Sequence, residues 1–596
     1  MINRVRARFG RVSRVVVCLS AGLVMLTGAV SWAIVTDLTN VALVHSGLIV
    51  HADQADLNAE NAADPDAAFE EAFELGDELF GTQFNAIDGI GGNVGRGQRF
   101  TRVPRADLKG ANEWFSHTPP RVTGPNAQGC FECHEQPFED GSGTAAQNVH
   151  RDPFRTGQVG QFVERNTPHV FAPGAIQRLA EEMTDGLSND QNRLVNETCS
   201  QGGTRSVNLT TKGVNFGTLV ATRTRSNPCA VTFNTDGVRG VDFQPSVDNP
   251  AAPPELIVRP FQWKGSVAFI RDFNRGAGHN ELGMQAVEIV GDNVDGDFDG
   301  VRNEFTIGDM TVLAVYMAAQ PRPTSLLEVN SLGVLDPPLT SAQISAINRG
   351  RVVFQEVGCA TCHIPSLTVD NPTFSEPSQN PAYRDGVAFP AGQTTASRGV
   401  TAATAIKFDL TRDQPDNIIH NPDGSVRFRL GSLRRNSNGG GIVELFGDLK
   451  RHVMGPRLAE PVNEIAGDDV TPIPLNPRNR HTPDTFLTEN LWGVGSTSPY
   501  MHDGRATTLA EAILEHGNGR SDDTSEARTA RANYLNRTTA DKRAMIAFLE
   551  NLVLFKVEEE AAAAAASATN LFGLMAPSGP RQVVKIAPKG YRIVVQ

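Results

Sequence analysis

Apolar residues return at helical intervals in several separate stretches of this chain, and between those stretches the pattern is lost. Phe69, Phe73, Leu75 and Phe80 share one face of a helix expected just after Asp66. Residues 310–319 form a second stretch, ended by Pro321, which cannot continue a helix. Thr340 and Gln343 have the spacing of a capping box, and Ile344, Ile347 and Phe354 carry an apolar face from there into Gly358. Thr508 and Glu511 open another such box, followed by Leu509, Ala512, Ile513 and His516 on one face. The last helical run covers 539–555, with Ala544, Ile546, Phe548, Leu549 and Leu552 inward.

The intervening sequence divides the chain. Residues 34–66 are acidic and rich in Ala, Asn and Asp, which predicts a flexible leader. Residues 185–258 hold much Asn, Thr and Pro without a helical period, which predicts an inserted loop or hairpin region. A proline-containing linker at 323–339 separates a body at 67–322 from one at 340–556. Glu558, Glu559 and Glu560, followed by alanines, begin a low-complexity tail at 557–596.

Length and composition narrow the class. A chain of 596 residues exceeds one ordinary domain, and 40% hydrophobic with 20% charged residues suits a globular protein. The net charge of −13 gives no basic footprint for nucleic acid. The positive charge at the N-terminus has another meaning. Arg4, Arg6, Arg8, Arg11 and Arg14 precede an uncharged run, and Ser31-Trp32-Ala33 provides a small-x-small cleavage site. Residues 1–33 therefore read as a signal peptide or, if uncleaved, an N-terminal membrane anchor. Both readings put the rest of the chain in the periplasm or outside the cell.

Cysteine spacing changes the picture most. Four of the 7 cysteines lie in Cys130-Phe-Glu-Cys133-His134 and Cys359-Ala-Thr-Cys362-His363. In CxxCH, two thiols and one imidazole share a turn, the arrangement that bonds a haem edge twice and ligates its iron. A zinc site would need further cysteine or histidine pairs nearby, and neither motif has them. Chance alone would produce one match with a probability of roughly 0.002. With Cys18 inside the signal segment, Cys199 and Cys229 are left as a candidate disulfide, and closing that loop would contribute about 3–4 kcal/mol. The expected fold is mainly α: two cytochrome-c-like helical domains, each with one covalent haem, long loops and a small β insertion.

Other residues offer ligands. His516 ends an apolar helical stripe, which suits an imidazole laid over a buried haem as well as a surface helix terminus. Asp295, Asp297 and Asp299 begin a DxDxDG calcium-loop pattern, but Thr306 stands where the closing glutamate belongs. Glu304 or Asp309 are the substitutes within reach, and an Asn/Asp-rich turn is the competing reading.

Longer blocks resemble a known family. Residues 498–513, Ser-Pro-Tyr-Met-His-Asp-Gly-Arg through Ile513, resemble the C-terminal block of the bacterial di-haem cytochrome c peroxidase superfamily. Leu-Trp-Gly-Val-Gly at 491–495, Asp-Leu-Lys-Arg-His-Val-Met-Gly at 448–455 and Gly-Pro-Asn-Ala-Gln-Gly before Cys130 resemble its di-haem oxidoreductase branch. Relatives in that branch include the haem rubber oxygenases and the enzyme that matures methylamine dehydrogenase. The likeness spans about residues 68–556. It implies that His516 is the distal ligand of the second haem and that His502 contacts a haem propionate. His150, sixteen residues after His134, would be a removable distal ligand of the first. Trp263, in Pro-Phe-Gln-Trp-Lys-Gly, would lie between the haems, with His279 and Glu281 as acid–base groups. The implied activity is reduction of hydrogen peroxide or a related oxidant at the first haem, fed by a small periplasmic cytochrome c or cupredoxin. An oxygenase cleaving an apolar substrate, or a non-catalytic electron carrier, are the alternatives.

Overall fold

The computed structural model describes residues 47–93, 99–100, 126–138, 149–151, 158–244, 255–297, 299–383, 390, 393–415, 418–421, 423–461, 482–560, 581–586 and 592–593. Residues 1–33, expected as a signal peptide or anchor, Cys18 within them and the side chain of His150 lie outside what is described. No described helix is long and apolar enough to cross a membrane.

The N-terminal half is organised on the helix Ile307–Ala318, every residue of which is buried. Its first turn is closed by the reciprocal box of Thr306 and Asp309. Helix Pro65–Gly81 packs along it through Phe73 and Phe80, whose rings each lie within 5.4 Å of Tyr316, while Phe69 stacks on Phe408. The approach is close enough that a Cβ on Gly76 would collide with the carbonyl of Val312. Within the expected flexible leader, residues 54–63 instead form a helix, Gln54–Ala63, capped by the Asp53 carboxylate. It is held down by buried Leu57, by Ala52 N donating to Asp309 Oδ1 at 2.8 Å, and by Asn58 on the Gly399 carbonyl.

The start of the expected insertion is also helical. Helix Pro173–Gln201 runs 29 residues, well past 185. Its buried positions Leu187, Gln191, Leu194 and Thr198 keep helical spacing, but two of the four are polar, which hides the period in the sequence. Three antiparallel strands follow, Thr204–Thr211, Val214–Ser226 and Cys229–Val238. The Cys199–Cys229 disulfide ties the end of the long helix to the start of the third strand.

In the C-terminal half, helix Ser341–Val357 packs against Thr539–Glu550 through Ile347, Phe354, Met545 and Phe548. Gly350 permits this, since a Cβ there would meet the Ala544 carbonyl. The linker and tail carry structure of their own. Thr324–Ser325 pairs with Leu552–Val553, and Phe555–Glu560, Arg581–Ile586, Arg592–Ile593 and Leu335–Asp336 form a four-stranded sheet.

The mainly α expectation therefore fails. The described residues are mixed α/β, with seven two-stranded, two three-stranded and one four-stranded sheet, all antiparallel. Long connections over a buried core cannot leave their N–H and C=O groups unpaired, and short hairpins are the local way to pair them.

Candidate functional site

Both CxxCH motifs fold alike. Helix Ser341–Val357 ends at Gly358, whose φ of 100° turns the chain into a 3-10 turn at Cys359–Thr361. His363 N then donates to Cys359 O at 3.0 Å. At the first motif, a 3-10 turn at Cys130–Glu132 is closed by His134 N on Cys130 O at 3.2 Å. Each proximal ring is aimed by a backbone carbonyl: His134 Nδ1 lies 3.0 Å from Pro168 O, and His363 Nδ1 3.1 Å from Phe446 O. A proton held on Nδ1 leaves the Nε2 lone pair for a metal. Burial pushes His363 down to about 4, so this imidazole is neutral as a ligand must be.

His516 faces His363. Helix Leu509–Glu515 starts from the Thr508–Glu511 box and delivers His516 at its end, where Nδ1 donates to Ala512 O at 2.7 Å. Burial lowers the pKa of His516 as well. The two rings stand 6.3 Å apart between centroids, at 63°. An iron midway, about 2 Å from one nitrogen of each ring, needs centroids about 6 Å apart. The cavity around them has a volume of about 340 Å³ and is walled by Cys359, Cys362, Leu509, Met545 and Leu549, with Met454 and Met501 also at its edge. Paired thiols, two opposed neutral imidazoles and an apolar wall fit a covalent haem.

The same cavity collects Trp263 and His502. Trp263 Nε1 donates to Asn166 O at 2.8 Å, and Asn166 N donates to His502 O at 2.7 Å. Two residues on, Pro168 accepts from His134. Trp263 thus borders the second site while its hydrogen bond reaches the short segment that aims the proximal histidine of the first. His502 is buried, lies 4.3 Å from the Phe486 ring and is pushed down to about 3 by that burial. Its Nε2 is 3.9 Å from Glu460 Oε1, inside a buried group formed by Glu460, Arg165 and Lys264.

Around the first site, a π-turn at Gly278–Leu282 carries buried His279 and half-buried Glu281. The Glu281 carbonyl takes Asn126 N at 2.6 Å and Ala127 N at 3.0 Å, and its carboxylate takes the Asn126 side chain. This ties the turn to the chain just before Cys130. Cys133 is pushed up to about 12 by burial first and the Glu281 carboxylate next. Asp295, Asp297 and Asp299 place carboxylate oxygens within 4.8 Å of one another, while Asp295 also accepts from Asp299 N and Gly300 N. The substitutes for a closing glutamate are engaged elsewhere: Asp309 caps its helix and binds His51, and Glu304 accepts from Gln285 N.

Two histidines were missed. His169 borders the cavity, but Nε2 is 2.9 Å from Trp492 O and Nδ1 accepts from Phe171 N, so neither nitrogen is left for iron. His452 lies between Asp448, Glu526 and Cys362. The Asp448–His452 spacing was visible in the sequence; Glu526, 74 residues on, was not.

No protein-family profile and no curated protein match the chain. Among solved structures 17 chains match, including a MauG-like protein associated with microbial copper homeostasis. That match has 17% identity and a TM-score of 0.20, and covers 41% of this chain and 52% of the other. The chain thus spans about half the length of that protein, and a likeness so slight carries no argument about this one.

Proposed function

We propose that this chain is an exported di-haem c-type oxidoreductase that reduces hydrogen peroxide or a related small oxidant at the His134 site. Electrons are taken up at the His363–His516 site from a small periplasmic cytochrome c or cupredoxin. The observation that carries the reading is the pair of opposed, neutral rings 6.3 Å apart beside two cysteines. Two bound haems would supply one-electron storage and an iron position for the oxidant.

The chain's own residues do the rest. Cys130 and Cys133 would hold one group, and Cys359 and Cys362 the other. His134 and His363 are oriented by the carbonyls of Pro168 and Phe446. His516, facing His363, would be the second imidazole to hold the group at the C-terminal site and would keep small molecules off it. His279 and Glu281, on the turn anchored beside Cys130, are the groups to deliver protons to the departing oxygen. Trp263 joins the two sites, His502 accompanies it at the cavity wall, and His150 is the candidate removable ligand of the first iron. Asp295, Asp297 and Asp299 are assigned to a calcium ion that would brace the loop following the π-turn. Export is supported by the Cys199–Cys229 bridge, a linkage at home in oxidising compartments.

The test is direct. Denatured protein should keep two haems per chain on a haem-stained gel. The reduced protein should bind carbon monoxide at one iron only, and peroxide should oxidise a reduced small cytochrome in its presence. Binding at neither iron would make the chain a carrier. Oxygen uptake with a polyene, without peroxide turnover, would make it an oxygenase.

A further inference from the structure

The Asp-Leu-Lys-Arg-His block at 448–452 has no part in the proposed reaction, yet it builds one of the most constrained polar groups near the cavity. His452 Nε2 is 2.9 Å from Asp448 Oδ2, and Nδ1 is 2.7 Å from Glu526 Oε2. A carboxylate only accepts, so both ring nitrogens carry protons and the ring is an imidazolium. Its Nδ1 also lies 3.9 Å from Cys362 Sγ, and the ring lines the cavity. The clamp is tied to the backbone: Glu526 Oε1 accepts from Val453 N at 3.0 Å, Glu526 N donates to Val453 O at 2.9 Å, and Asp448 Oδ1 accepts from Lys450 N at 3.0 Å. Asp448 is buried, whereas Glu526 is half exposed. The carboxylates hold His452 far above its ordinary range, up to about 11, against the opposing effect of burial. The charge is therefore fixed across any physiological pH.

We propose that His452 is a built-in cation at the thioether edge of the second haem and that, balanced by Asp448, it sets the reduction potential of that haem. This rests on the reading that Cys359, Cys362 and His363 carry a haem. Reduction adds an electron to the haem, so a nearby positive charge favours the reduced form and a nearby negative charge opposes it. In an apolar cavity the field is weakly screened. Asp448 and His452 carry opposite charges, so they act with opposite sign on a group held at Cys362.

The experiment is potentiometric titration of the whole holoprotein, followed by the spectra of each haem. His452→Gln should move the second haem to lower potential, because the cation is lost and both carboxylates stay. Asp448→Asn keeps an acceptor for Lys450 N but removes a negative charge, and should move it to higher potential. The first haem should not move in either variant. Shifts of opposite sign are what a loosened fold would not produce. No shift in either variant, or the same direction in both, overturns the proposal. Should His452→Gln fail to accumulate with haem, Asp448→Asn and Glu526→Gln decide, both expected upward. If the wild type lacks haem at Cys359 and Cys362, it is the functional reading that fails, which the haem stain reports separately.

Discussion

The two CxxCH sites share their local build and differ in almost everything around it. Each has a 3-10 turn through the cysteines and a proximal histidine aimed by a backbone carbonyl. At the C-terminal site, a helix end brings His516 opposite His363, and Leu509, Met545 and Leu549 wall the cavity with the clamped His452 beside Cys362. The described surroundings of His134 are instead the Phe80 ring at 6.1 Å and a turn with a buried histidine and a carboxylate. Identical motifs thus receive different neighbours. On the proposed reading, the site with two opposed imidazoles would suit electron relay, and the site bordered by titratable groups would suit chemistry on a bound oxidant.

The largest effect should come from removing the attachments one site at a time. Cys359→Ala with Cys362→Ala, and separately Cys130→Ala with Cys133→Ala, should each abolish one of two stained haems on a denaturing gel. The first pair should also erase the low-spin signal assigned to His363 and His516. Next comes His516→Ala. It should convert the second iron to a high-spin or water-ligated form in the paramagnetic resonance spectrum and give it carbon monoxide binding, erasing the main difference between the sites. An unchanged low-spin signal would hand the position to Met454 or another neighbour.

Glu281→Gln sharpens the comparison from the other side. It keeps the shape of the turn but cannot supply a proton, so peroxide turnover should fall about 10²-fold or more while haem content and the second potential stay put. Trp263→Phe preserves most of the volume and loses the hydrogen bond to Asn166, a cost on the order of 1 kcal/mol. Both haems should remain and the melting temperature should change little, while inter-haem transfer, followed by rapid mixing, slows about tenfold. Wild-type transfer with earlier melting would reduce Trp263 to packing. The smallest effect on either site belongs to Cys199→Ser with Cys229→Ser. Freeing a 30-residue separation should lower stability by about 3–4 kcal/mol in denaturant titration and leave both haem spectra unchanged.

Much of this was legible without coordinates because it is local. CxxCH fits one turn, Thr508 with Glu511 announces a helix start, and Leu509, Ala512 and His516 follow from the helical period. What failed also has local causes. Gln191 and Thr198 sit on the buried face of a helix and disguised it as loop, and the acidic composition of 54–63 disguised a capped helix as leader. The mainly α expectation failed because short hairpins leave a weak period in sequence, and strand pairs such as Leu335–Asp336 with Arg592–Ile593 join residues far apart.

By itself, then, the sequence determined where the two CxxCH turns lie and where the helices beside them begin, since caps, turns and thiol spacing act over a few residues. Only the tertiary structure decided what each site meets. It turned His363 toward His516, 153 positions away in a separate helix, set Pro168 behind His134, and closed Asp448 and Glu526 on His452. Such encounters depend on how buried faces pack and on every buried polar group finding a partner. Those conditions are met by the folded chain as a whole and leave no fixed spacing along it.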